Sequence, residues 1–366
     1  MVSLTTRVRA LRWTTIVPIV AIVVLALTWG AHPATVAVVL IALILAGAVL
    51  AAVHHAEVVA HRVGEPYGSL VLAIAVTVIE VALIVTLMVS GGEKTATLAR
   101  DTVFAAVMIT CNGILGLSLL VAAVRRHVAV FNAEGTGTAL ATVATLATLT
   151  LLLPTFTTSR PGPEFSPGQL TFAAICSLAL YALFVVVQTV RHRGYFLPVD
   201  HAGDVLDDDH ADPPTGAAAL RSLGLLMVAL VAVVGLAKIE SPAIEDGVQA
   251  AGLPPSAVGV VIALLVLLPE TLAAVRAAMR GRTQTSLNLA LGSAMASIGL
   301  TIPAIAVASI WLDGPLVLGL GSTQIVLLAL TVVLATLTIV PGRATVQQAG
   351  VHLVVFGAFL FLAASP

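Results

Sequence analysis

Eleven apolar windows of about twenty residues each run through this chain, at 14–31, 34–53, 68–90, 102–124, 136–158, 168–190, 217–238, 256–275, 287–311, 316–340 and 347–364. A stretch of that length, coiled as an α-helix, matches the hydrocarbon thickness of a bilayer. A backbone crossing lipid finds no water to bond and must satisfy its own amides, so repeated windows of this kind demand helices. The expected fold class is therefore an all-α polytopic membrane protein with about 11 transmembrane helices. With 59% hydrophobic and only 10% charged residues, an ordinary soluble domain is excluded. A net charge of −1 without a basic cluster gives no nucleic-acid partner; membrane lipid is the surrounding partner, and nothing in the pattern speaks to oligomeric state. Cys111 and Cys176 both fall inside apolar windows, which rules out a disulfide framework and a four-thiolate zinc site.

Basic residues orient the windows. With the N-terminus cytoplasmic, one side carries Arg7, Arg9, Arg12, Arg62, Arg125, Arg126, Arg191, Arg193, Arg221, Arg276, Arg280, Arg282 and Arg343. The other side holds Lys94, Arg100, Arg160 and Lys238. A split of 13 to 4 among 17 basic residues follows the positive-inside rule, and predicts a multi-pass protein of the cell membrane with a cytoplasmic N-terminus and an external C-terminus. The first window, after Arg7, Arg9 and Arg12, reads as an uncleaved span rather than a secretory signal, because a second apolar run follows at once.

Two windows carry a carboxylate near their middle: SLVLAIAVTVIEVALIVTLMV holds Glu80, and VGVVIALLVLLPETLAAVRAAM holds Glu270 beside Pro269. A charge at the bilayer centre costs at least about 2.5 kcal/mol on insertion scales, so such groups usually pair, titrate or line an ion path. The chain around them repeats. Glu57 to Pro66 and Glu245 to Pro254 both read E-x6-G-x-P, upstream of Glu80 and Glu270 respectively. Downstream, Gly116-Leu117-Ser118-Leu119 answers Gly299-Leu300-Thr301-Ile302. Glu80 lies in the third window and Glu270 in the eighth, an odd offset, so matched segments enter the membrane from opposite faces. This is the signature of an inverted-repeat secondary transporter with its site at the midplane. The expected organisation is an N-terminal segment and first helix (1–33), a first five-helix repeat (34–190), an acidic cytoplasmic loop (191–216) and a second five-helix repeat (217–366). The loop carries Asp200, Asp204, Asp207, Asp208, Asp209 and Asp212 with His201 and His210. It reads as a solvated linker; a calcium sensor of the EF-hand kind would need a central Gly and a terminal Glu in register, which it lacks.

Two facing carboxylates among hydroxyl, amide and carbonyl oxygens make a hard, oxygen-only site for a Ca2+-like cation. Glu80 and Glu270 are the expected metal and proton carriers, with Asn112 and Ser293 as neutral ligands and Asn288 behind them. Pro269 removes a backbone donor, and local unwinding beside it would offer carbonyl oxygens. Because low-dielectric surroundings favour a neutral carboxyl and a bound cation favours an ionised one, protons and cation compete for the same oxygens. Glu57, Glu65, Glu245 and His61 are candidate gate or proton-relay groups at span edges, interfacial solvation being the plainer reading. His54 and His55 cluster near Glu57, and His352 stands alone in the last window with no role assigned. No cofactor is expected, the cations and protons being cargo.

The segments HRVGEPYGSLVLAIAVTVIEVALI, RDTVFAAVMITCNGILGLSLL, VIALLVLLPETLAAVRAAM and NLALGSAMASIGLTIP, with the acidic loop between repeats, resemble the bacterial ChaA-type calcium/proton antiporters, in the CAX branch of the cation/calcium exchanger superfamily. The resemblance implies one first span followed by five plus five inverted helices of the sodium/calcium exchanger-like fold. It also implies Ca2+/H+ exchange with Glu80 and Glu270 at its centre and Asn112 and Ser293 lining the site. The wider CAX branch has a GNATE-like motif where this chain reads VTVIE, and a Gln near the position of Ala296. Fewer amide ligands widen the expected substrate range to Na+ or K+, so a Na+(K+)/H+ antiporter using the same site is the alternative. An ion channel would need a continuous polar ring, and an intramembrane protease would need HExxH or a paired Asp that this chain does not carry. The chain is not expected to be an enzyme.

Overall fold

The computed structural model describes residues 13–30, 35–64, 67–91, 95–199, 214–311 and 314–365. Glu65 and the acidic stretch 200–213 lie outside the described residues, as does the side chain of Glu245. The helical segments are α1 (Trp13–Thr28), α2 (Thr35–Val63), α3 (Tyr67–Gly91), α4 (Leu98–Arg126), α5 (Ala133–Thr155), α6 (Pro167–Arg191), α7 (Gly216–Ala250), α8 (Ser256–Met279), α9 (Thr283–Ala308), α10 (Ser322–Ile339) and α11 (Val346–Ala364). Among the described residues nine helices are long and apolar enough to cross a membrane, with Trp13–Thr28 and Ile74–Val89 as shorter apolar helices. The architecture is one N-terminal helix plus two inverted five-helix repeats, α2–α6 and α7–α11.

Helices α2 and α7 run well past their apolar windows, to Val63 and Ala250. A hydropathy window sees only the lipid-matched part, whereas these helices continue through polar turns containing Glu57 and His61 in one case, and Glu240 and Ser241 in the other. Both then stop on the glycine of the repeated motif. Gly64 has φ +77° and Gly252 φ +69°, left-handed values that cost glycine nothing. Leu253 N–H donates to Val248 O over Gly252, closing the last turn of α7. The start of each following helix comes two or more residues later, past a proline that cannot continue the preceding one.

Connections on each face tie the repeats together. On the Arg-rich face, Ala129–Val130 pairs antiparallel with Arg343–Ala344, joining the α4–α5 turn to the α10–α11 turn. On the opposite face Glu164 bridges Val317, joining α5–α6 to α9–α10. Caps set several entries: Asn132 accepts from Glu134 N–H and Gly135 N–H at α5, and Ser166 with Gln169 forms a capping box at α6.

The apolar interior divides in two. One cluster gathers α1, α2 and α7 with faces of α3 and α8; the other gathers α4, α5, α6, α9, α10 and α11. Helix α8 serves both, Val258, Ile262 and Val266 on one face and Val260, Ala263 and Leu267 on another. The four-residue spacing of the first set marks a single helical stripe. The two helices that carry Glu80 and Glu270 therefore stand on the seam between two apolar bodies.

Helix α1 is fastened to the first body by a polar clasp. Pro18, inside α1, has no N–H for the carbonyl of Thr14, four residues earlier. That carbonyl instead accepts from His55 Nε2 at 2.8 Å. A carbonyl only accepts, so Nε2 carries the proton and Nδ1 is left to accept from Ser222 Oγ of α7 at 3.3 Å. His55→Ala leaves both partners buried and unpaired. The expected cost is about 1–3 kcal/mol, read as a lower thermal midpoint in detergent, and His55→Gln should recover part of it.

Candidate functional site

Glu80 of α3 and Glu270 of α8 line one cavity of about 270 Å³. Both are buried, at 4% and 8% exposure. The wall opposite is α9, which presents Ser293, Ser297 and Ala296 near the glutamates and Asn288 and Thr285 further toward the Arg-rich face, while α6 closes the side with Tyr181 and Gln188. Exposure along α9 rises in the same direction: Ser297 is buried, whereas Ser293, Asn288 and Thr285 are half-buried. The cavity thus opens toward the ends of α6 and the start of α9, on the Arg-rich face, and ends at the carboxylates.

Ser297 Oγ donates to Glu80 Oε1 at 2.6 Å. The oxygen Oε2 of Glu270 is buried with no hydrogen-bond partner. A buried carboxylate oxygen left unpaired is costly, and its natural partner is a proton or a cation entering the cavity. Sequence reasoning does not single out Ser297, although it stands one turn beyond Ser293 on the same face. Ser297→Ala removes a hydrogen bond to a charged group, worth about 1.5–3 kcal/mol, and should weaken cation binding roughly tenfold or more, measured by titration of purified protein.

Other expected groups fall elsewhere. Asn112 does not line the cavity. It lies in a π-helical turn of α4, Ile109–Ile114, fully buried, with Nδ2 donating to Thr331 Oγ1 at 2.8 Å and Oδ1 accepting from His352 Nδ1 at 3.1 Å. A π-turn shifts side-chain directions along a helix, which spacing alone does not reveal. Asn288 lines the cavity, but its amide is committed to the scaffold, donating to Phe196 O at 2.6 Å and accepting from Gln284 Nε2 at 2.8 Å. Pro269 causes no unwinding: α8 runs helical from Ser256 to Met279, and Leu265, whose carbonyl the proline leaves free, is not part of the cavity wall. Glu57 and His61 of α2 share a recess with Pro214 on the Arg-rich face. Glu57 is exposed, and it lies within electrostatic reach of Arg276 and of Glu270, which also feels Glu80. Among the described residues no group of three or more His, Cys, Asp or Glu is assembled to hold a resident metal.

A family description, sodium/calcium exchanger protein, matches residues 33–190 and 221–364, which takes in both repeats and both glutamates. The chain belongs to the sodium/calcium exchanger family. This exchanger is 45% identical over 361 residues to the putative ionic transporter y4hA of Sinorhizobium fredii, covering 97% of this chain and 96% of that protein. It is 34% identical over 350 residues to the sodium-potassium/proton antiporter ChaA of Escherichia coli, covering 94% of each. Among solved structures, the H+/Ca2+ exchanger CAX superposes with a TM-score of 0.70 at 16% identity, over 96% of this chain and 91% of that one. The fold is thus shared with cation/calcium exchangers, and the exchanger is a membrane ion transporter and antiporter of that superfamily, not an enzyme.

Proposed function

We propose that this exchanger moves Ca2+ against H+ across the bacterial cytoplasmic membrane by alternating access, with Glu80 and Glu270 binding the cation or protons in turn. The observation that carries the reading is the unpartnered, buried Oε2 of Glu270 in a cavity it shares with Glu80. Beside the two carboxylates the cavity offers the hydroxyl oxygens of Thr77, Ser293 and Ser297, with the amides of Gln188 and Asn288 further toward the Arg-rich face. That set suits a hard cation which keeps part of its water, and a divalent ion is the charge match for two carboxylates. Loaded with one Ca2+ or with two protons, the pair is neutral and fit to pass through low dielectric; the empty dianion is not. Exchange rather than leak follows. Glu57, exposed between the Arg-rich face and Glu270, is suited to relay protons, with His61 beside it. The repeats are assigned to 34–190 and 217–366, a division supported by a family match in two segments, 33–190 and 221–364, and the Arg-rich face is assigned to the cytoplasm.

A second reading, Na+(K+)/H+ antiport through the same site, is favoured by a serine hydroxyl rather than an amide at Glu80 and by the name of the 34%-identical relative. The two separate in everted vesicles with an acid interior and a pH-sensitive dye. Ca2+ addition should collapse the gradient and Na+ or K+ should compete only at much higher concentration; a response to Na+ or K+ alone assigns the site to monovalent cations.

A further inference from the structure

The two inverted repeats are not in the same condition in this structure, and the difference locates a second route. In the second repeat α9 is approached by α6 at Gly299, where an added Cβ would meet Tyr181 Cβ at 2.8 Å. In the first repeat the matched glycine, Gly116 of α4, is approached by α11, and an added Cβ would meet His352 Cβ at 3.0 Å. Tyr181 and His352 are therefore counterparts under the repeat symmetry. Beyond Tyr181, Val185 and Gln188, four and seven residues on, line the open cavity that α6 shares with α9. Beyond His352 the positions four and seven residues on are Phe356 and Phe359, and there α11 stays shut on α4. Phe356 lies 3.3 Å from a Cβ built at Gly113, and Phe359 meets Phe104 edge-on at 5.7 Å between centroids. The polar groups of this half are tied off as well. His352 Nδ1 donates to Asn112 Oδ1, which leaves Nε2 to accept from Thr338 Oγ1 at 3.1 Å, and Thr331 Oγ1, after receiving Asn112, donates to Leu327 O at 2.7 Å.

We propose that the α4–α11 seam is the closed half-route from the glutamate pair to the face opposite the Arg-rich one, sealed by Phe104, Phe356 and Phe359. When it opens, Asn112 exchanges His352 for the cargo, a partly hydrated inorganic cation, and supplies its amide oxygen beside Glu270. His352 is a positioning residue that parks Asn112 while the seam is shut. The proposal rests on the two-glutamate reading and gives it a distinct path.

The test is thiol accessibility in vesicles of known orientation, using the chain with Cys111→Ala and Cys176→Ala and a membrane-impermeant maleimide. Ser293→Cys should react from the Arg-rich face. Phe356→Cys should react from the opposite face alone, several-fold faster while a cation gradient drives exchange than at rest. Leu353→Cys, partly exposed and also against Gly116, is the second probe should Phe356→Cys fail to fold. His352→Ala, which releases the amide, should change the half-saturating cation concentration several-fold on the opposite side with little change on the Arg-rich side, and His352→Asn should restore it. The proposal is overturned if both seam cysteines stay unreactive from the opposite face while the same vesicles exchange, or if His352→Ala acts equally from both sides. Its failure is distinguishable from failure of the site: glutamate variants that still exchange, with the seam reactive, sink the site and leave the route.

Discussion

Cation binding to purified protein should weaken steeply as pH falls, and Glu270→Gln should flatten that dependence while reducing Ca2+ affinity at least about 100-fold, or roughly 3 kcal/mol. The sign follows from competition. The cation binds ionised carboxylates, protons bind the same oxygens, and each Glu that must lose a proton adds to the slope. Replacing Glu270 by its amide keeps the volume and the helix but removes one titrating group and the one oxygen of the pair that is buried without a partner. Calorimetric titration of Ca2+ at several pH values in buffers of different protonation enthalpy counts the protons released; the variant should release one fewer per cation. Unchanged proton release in Glu270→Gln would sink the assignment, provided its size-exclusion profile matches wild type.

A large structural effect is expected at Gly259, where α8 crosses α4. A Cβ built there lies 2.9 Å from Thr102 N and 3.0 Å from the carbonyl carbon of Asp101. These are backbone atoms of a helix end that cannot swing aside. Asp101 is held by Thr97 Oγ1 at 2.8 Å and Arg100 Nε at 2.8 Å, with Gln324 Nε2 at 3.3 Å, so the whole turn is braced. Gly259→Ala must push α8, the helix that carries Glu270, away from α4. Overpacking of this kind costs about 1–3 kcal/mol, so the thermal midpoint should drop by several degrees and exchange should fall with it. Gly292→Ala, where an added Cβ meets nothing within 4 Å, is the control and should leave stability near wild type. Equal midpoints for the two variants would show that the close crossing carries no constraint.

The parts of this molecule that lipid dictates were legible in its residues. Window length predicts eleven helices because a bilayer sets helix length, and Glu80 and Glu270 stand out as the carboxylates near the middle of two apolar windows. The glycines of the repeated E-x6-G-x-P motif were legible as a pattern and turned out to be left-handed helix ends. What spacing does not carry is side-chain direction after an irregular turn and the partner a polar group finds across a helix crossing. Asn112 shows this: its amide is taken by Thr331 and His352 from two helices far along the chain. Ser297 shows the converse, an unremarkable serine in a small-residue run that reaches Glu80 only because α9 packs against α3. His55 and His352 likewise became intelligible only once Thr14 and Asn112 were placed beside them.

The central claim is that Glu80 and Glu270 together carry the exchanged ions, and its most direct measurement is proton flux in everted vesicles holding an acid interior, for wild type, Glu80→Gln and Glu270→Gln at matched expression. Ca2+ should collapse the gradient in wild type and do nothing in either variant. Exchange in both variants at the wild-type rate contradicts the claim and makes the two glutamates structural.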